Sequence, residues 1–204
     1  MNLRNSVTSP HLCGHAGTLS GSGRFGRIQD GERNYVRNNL CGACVKVIQA
    51  LIDQARTNIA KHAAESGLAT PVPKGSFKQV PWAKSIVAEV FPLLAATAAA
   101  GRERGDALGV ATARAIALIC QIEDAGFWIK YQDAYCTLTA YQISGDVADI
   151  IRQATHGLQG KGTSWMAGLI PATTRHAPHH RFARPGMLSR LVSDTSLLDA
   201  AASA

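Results

Sequence analysis

No segment of this 204-residue chain strings together the roughly eighteen apolar residues that a membrane-crossing helix needs; the longest apolar stretch, Phe91 to Gly101, is short and alanine-rich. Met1 to Pro10 has no apolar run either, so no secretory leader is expected there and the stretch reads as a disordered tail. The cysteines are few, odd in number at five, and follow no framework spacing, which excludes a fully paired disulfide scaffold and favours a reducing compartment such as the cytoplasm. No nucleophile stands in a motif with a base, and the acids Glu123 and Asp124 are adjacent, so on a helix they point apart rather than form an acid/base dyad. A non-enzymatic protein is expected.

Against this sparseness, three of the five cysteines gather in two short clusters, His11-Leu12-Cys13-Gly14-His15 and Cys41-Gly42-Ala43-Cys44. Two intervening residues let Cys41 and Cys44 face one ion, and thiolate with imidazole is the donor set of structural zinc. Cys13, His15, Cys41 and Cys44 are therefore read as one tetrahedral zinc site. His11 competes with His15, since each lies two residues from Cys13, and a Cys41–Cys44 disulfide is the other alternative. Four protein donors close the coordination shell and leave no place for an activated water, so the ion is expected to fold the chain rather than catalyse.

Charge is uneven. Residues 1–44 carry net +3, 45–151 are neutral, 152–190 carry +6 without one acid, and the last fourteen carry −2, which together make the overall +7. Basic flanks on a neutral middle suit a polyanionic partner, nucleic acid or a ribonucleoprotein. The candidate contact residues are Arg24, Arg27, Arg33 and Arg37 near the metal clusters and Arg175, Arg181 and Arg184 near the C-terminus. Two glycine motifs are discounted. Gly21 to Gly26 spells G-x-G-x-x-G without a preceding strand, and Gly160-Lys161-Gly162-Thr163 lacks the rest of a phosphate loop.

The pattern predicts a mainly α chain: a small zinc-ribbon-like module at 11–44, a helical bundle at 45–157, and an extended basic arm with a short C-terminal helix at 158–204. Asp30 is expected to cap a short arginine-bearing helix. Val45, Ile48, Ile52, Ala55 and Ile59 trace one apolar stripe of a helix that Gly67 ends. Pro81 suits a first helical turn, and Pro92 should kink that helix or start a new one. Asp106 is expected to cap a third helix whose core stripe runs through Ile116 and Cys120 to Trp128, and Asp146 to begin another. Trp82, Phe127 and Trp128 read as packing anchors between helices in preference to the alternative, a stacking platform for bases.

Cys13-Gly14-His15, Cys41 to Cys44, Gly75-Ser76-Phe77-Lys78-Gln79-Val80-Pro81-Trp82-Ala83 and Asp124-Ala125-Gly126-Phe127-Trp128-Ile129 together resemble a family of small proteins carried by phages, plasmids and integrated elements. The resemblance covers 11–133, selects His15 as the fourth ligand, and implies a mobile-element origin with a zinc knuckle fused to helices; it implies no reaction. The long C-terminal segment and Pro81 depart from the pattern.

Two functions follow as expectations. One is an inhibitor that binds a host defence ribonucleoprotein or its protein subunits, in the manner of an anti-CRISPR protein. The other is a regulator that binds DNA or RNA directly through the basic module and arm. No membrane partner is expected, and the oligomeric state is left open.

Overall fold

The computed structural model describes residues 6–21 and 27–156. Within them the chain is mainly helical, with a small Cys/His cluster region at its N-terminal end. The arm at 158–204, with Arg175, Arg181 and Arg184, lies outside the described residues, as do Met1 to Asn5 of the expected tail and Arg24 with the glycine-rich segment around it.

The N-terminal stretch corrects the disordered-tail expectation, because Ser6–Pro10 is a strand (β1). It pairs antiparallel with Ala16–Ser20 (β2), from Ser6 opposite Ser20 to Pro10 opposite Ala16. Such a hairpin is marginal alone. Its loop, His11 to His15, carries two residues of the Cys/His cluster, and its Leu12 N–H ties it to the Asn39 carbonyl at 3.1 Å. Helix α1, Asp30–Asn38, follows. Its N-cap is Gln29 rather than Asp30: the Gln29 N–H donates to the Glu32 carboxylate at 2.7 Å, closing a capping box.

Helix α2, Gly42–Thr57, buries Cys44, Ile48, Leu51, Ile52 and Ala55 along one stripe. The stripe does not run on to Ile59 in one helix. Asn58 breaks the chain at φ −152° and ψ 66°, and its side chain accepts the Lys61 N–H to start α3, Ile59–Glu65. Gly67, at φ +61°, ends that helix as expected.

The central element is α4, Gln79–Arg104, which runs through Pro92 without interruption. One backbone bond is lost at the proline, but the segment beyond it is almost wholly buried, from Leu94 through Gly101, and packing outweighs that loss. This corrects the expectation that no segment reaches membrane-spanning length: at 26 residues α4 is long and apolar enough by length and composition, and 61% of its most apolar window is buried inside the protein. Packing against α2 and α3 accounts for that apolarity.

Gly105 (φ +71°) and the Asp106 cap turn the chain into α5, Ala107–Ile119. Asp106 Oδ1 accepts the Gly109 N–H at 2.8 Å, as the sequence suggested. Asp106→Ala is expected to lower stability by about 1 kcal/mol, read from a urea denaturation midpoint.

The third helix does not continue to Trp128. It ends near Cys120, and Asp124 caps a separate α6, Ala125–Lys130. The break is fixed by the linker before α4: Lys74 pairs its backbone with Glu123 and Ala125, and its ammonium meets the Glu123 carboxylate at 2.8 Å. That accounts for the adjacent acids, one a latch and one a cap. Phe127 and Trp128 are core, packed edge to face at 5.3 Å, with the indole N–H on the Ile122 carbonyl at 2.9 Å. Trp82 is not: 53% of it is exposed, because Ala83, Ile86, Val87 and Val90 form the inward arc and Trp82 lies a side step away. The stretch after Tyr131 is helical, α7, Gln132–Thr137, then α8, Ala140–His156. Asp146 sits buried inside α8 rather than at its start, which is set by Gln142 accepting the Thr139 N–H at 2.8 Å.

Candidate metal centre

The hairpin loop and the first turn of α2 meet at one point. Gly14 takes φ +79° between Cys13 and His15, a left-handed turn that presents both side chains to the same side, and nothing lies within 4 Å of where a Cβ would sit. Opposite, Cys41 is the N-cap of α2 and Cys44 its third residue, a spacing that brings both sulfurs to the helix end. The ligand atoms of Cys13, His15, Cys41 and Cys44 all lie within 4.8 Å of one another, close enough to surround a single metal ion. His15 Nδ1 is 3.3 Å from Cys44 Sγ and 3.6 Å from Cys41 Sγ. The three cysteines are buried and His15 is exposed.

His11 is placed elsewhere. Its Nδ1 lies 3.3 Å from the Asn39 carbonyl, and its ring lies so close over Gly17 that a Cβ there would stand 2.4 Å from Nε2. It straps the hairpin to the end of α1, so His15 is the histidine that faces the sulfurs. His11→Ala is expected to leave the metal content of the purified protein unchanged while His15→Ala lowers it, with elemental analysis as the check.

Backbone N–H groups are already aimed at the sulfurs. Cys41 N–H donates to Cys13 Sγ and Cys44 N–H to Cys41 Sγ, each at 3.4 Å. For Cys41, burial alone would push the thiol up, but the Cys44 N–H, the Cys13 and Cys44 thiols and the Ala43 N–H outweigh it and bring it down to about 7. Cys44 goes the other way: burial, then the neighbouring Cys13 and Cys41 sulfurs, holds its thiol well above the ordinary value. Crowded sulfurs of this kind cannot all ionise beside one another without a cation to share their charge. The arrangement is compatible with a metal site. Cys120 is different, a buried thiol that burial pushes up to about 12, the small hydrophobe its sequence context suggested.

The cluster, a clip between the hairpin loop and α2, also borders a groove. Leu40 and Val45, either side of the Cys41–Cys44 turn, help line this groove of about 380 Å³ between α1, α2 and α8, with Tyr35 and Tyr141 among its walls. Both tyrosines are largely exposed. Of the candidate arginines, Arg27, Arg33 and Arg37 are exposed, with Arg33 and Arg37 one turn apart on α1. Sequence reasoning missed Asn39, whose carbonyl receives both the Leu12 N–H and the His11 ring; a backbone acceptor leaves no side-chain pattern to read. Comparison of the chain with protein-family models, curated proteins and solved structures finds no match.

Proposed function

We propose that the chain is a non-enzymatic, zinc-stabilised binding protein of a mobile genetic element, acting in the bacterial cytoplasm on a host defence complex that handles nucleic acid, in the manner of an anti-CRISPR protein. The observation that carries this is the donor set. Three cysteines and one histidine around one point match the closed shell of a structural zinc ion. For tetrahedral zinc with Zn–S of about 2.3 Å and Zn–N of about 2.0 Å, the sulfur-to-nitrogen separation is about 3.5 Å. From His15 Nδ1 to the Cys44 and Cys41 sulfurs the separations are 3.3 and 3.6 Å, and all four donor atoms, Cys13 included, lie within 4.8 Å of one another. An ion held by four protein donors positions its surroundings and does no chemistry, so function falls on the surfaces that it holds in place. The groove with Tyr35 and Tyr141 beside the clip suits a protein partner, tyrosine being favoured where one end of a side chain is buried and the other wet. The resemblance to mobile-element proteins, with the absence of a base-reading motif in the sequence, suits a host defence complex as the target. Pull-down of tagged protein from lysate of a host carrying such a defence system is expected to recover a subunit of that complex. Recovery of no nucleic-acid-handling protein would contradict the proposal.

A second reading, direct DNA or RNA binding, is favoured by one observation: Arg27, Arg33 and Arg37 are all exposed on or beside α1, where phosphates can reach them. Arg24, Arg175, Arg181 and Arg184 would extend the contact. In titrations at several salt concentrations the double variant Arg33→Ala, Arg37→Ala is expected to reduce the slope of log affinity against log salt by about 2. An unchanged slope counts against it.

A further inference from the structure

The first two turns of α4 carry a face that neither reading above uses. Phe77 is 93% exposed and Trp82 53% exposed, so two of the largest apolar side chains in the protein stand in water a few residues apart. The Val80 N–H already donates to the Ser76 carbonyl at 3.1 Å, so the helical turn begins before Gln79 and residues from Phe77 onward share its geometry. At 100° per residue, Phe77, Pro81 and Lys84 fall on one strip and Lys78, Trp82 and Ser85 on the neighbouring one. All six are exposed, while Ala83, Ile86, Val87 and Val90 face the core.

The aromatics do not merge into an apolar patch with a polar rim; lysines stand between them. From 66 to 88 the sequence has no acid, and its charges are Lys74, Lys78 and Lys84. Lys74 is engaged by Glu123. Lys78 and Lys84 form no ion pair with the described residues. Separate π-faces interleaved with unpaired ammonium groups are complementary to a chain that alternates flat bases with phosphates, and to stack on side chains the bases must be out of a duplex. A protein partner would instead call for a contiguous apolar centre.

We infer that the Phe77–Lys78–Trp82–Lys84 face of α4 binds single-stranded nucleic acid, its aromatic rings stacking bases and its lysines contacting phosphate. This rests on the nucleic-acid reading but moves the principal contact from the arginines of α1 to a different helix.

The test is a titration of the full-length Trp165→Phe protein, in which the exposed fluorophore is Trp82 and the other, Trp128, is buried, with oligothymidylate, the matching duplex, and vesicles of phosphatidylcholine with phosphatidylglycerol. Oligothymidylate is expected to quench the exposed tryptophan and to bind more tightly than the duplex. For affinity, fluorescein-labelled oligothymidylate serves as the probe. Phe77→Ala with Trp82→Ala is expected to weaken binding about 5-fold or more for each ring, and up to about 150-fold. Lys78→Ala with Lys84→Ala should lower the salt slope by about 1.4, the single-strand value for two phosphates. These are exposed positions, and an unchanged helical signal and metal content will show that the variants fold. If wild type binds neither nucleic acid, the inference and the nucleic-acid reading both fall. If it binds but only the Arg33 and Arg37 variant weakens it, the inference falls and that reading stands. A blue shift of that tryptophan's emission with vesicles, and no response to oligothymidylate, overturns the inference in favour of a lipid surface.

Discussion

Cys44→Ser is expected to abolish stoichiometric metal binding and, with it, the docking of the N-terminal hairpin. A change in the outer shell of a metal site alone costs about 10- to 100-fold in affinity, and removing a direct ligand costs more. The hairpin and α1 have little else to hold them: among the described residues between Ser6 and Cys41, those buried are Ser9, Cys13, Val36, Leu40 and Cys41 itself. A two-stranded ribbon and one helix with that little core do not fold without a staple, so the free energy of binding a metal at the cluster would serve as folding free energy for this module. The helical body has its own core around α4 and should persist. After chelation or in the Cys44→Ser chain, limited proteolysis is expected to cut within 6–41 while the segment from α2 to α8 survives. Cys136→Ser, at a half-buried position away from the cluster, should change neither metal content nor cleavage.

The largest loss of stability in the body is expected from Gly109→Val. Helices α4 and α5 cross at Gly101 and Gly109 with backbone against backbone. A Cβ on Gly109 would stand 2.4 Å from the Gly101 carbonyl oxygen, and one on Gly101 would stand 2.6 Å from that of Gly109. Flexible side chains move aside for an intruding methyl; carbonyls inside two helices cannot, so the helices must separate and open the most extensive helix contact in the protein. Overpacking costs typically about 1–3 kcal/mol, and this site belongs at or above the top of that range. Gly42→Ala is the control. Nothing lies within 4 Å of its Cβ position, at the first residue of α2, and stability there should hold or rise by about 0.5 kcal/mol. Denaturant midpoints of the two variants, measured together, separate a crossing that needs glycine from a helix that merely tolerates it.

Much of this architecture can be read from the residues because it is local. The Cys41-x-x-Cys44 spacing, the Asp106 cap, Gly67 as a helix stop and the burial of Phe127 and Trp128 each follow from a few neighbouring side chains. Errors came where a distant contact decides. The Ser6–Pro10 strand has too little apolar content to be recognised without its partner and the Cys/His cluster at its loop. The break before α6 depends on Lys74, about fifty residues earlier in the chain, pairing with Glu123. Two of the missed features did have local signals: Asn58 interrupts the α2 stripe, and Thr139 with Gln142 has the spacing of a capping box that starts α8. Trp82 shows the limit of periodicity. Its neighbours fix which arc of α4 faces inward, and one residue of phase separates a core indole from an exposed one.

The central claim is that Cys13, His15, Cys41 and Cys44 hold one zinc ion that builds the N-terminal module. Zinc-edge X-ray absorption on protein purified without added metal, with elemental analysis of the same sample, tests it most directly. The expected result is one zinc per chain with three sulfurs at about 2.3 Å and one nitrogen at about 2.0 Å. A sample without stoichiometric zinc, or a zinc shell dominated by oxygen and nitrogen, would contradict it.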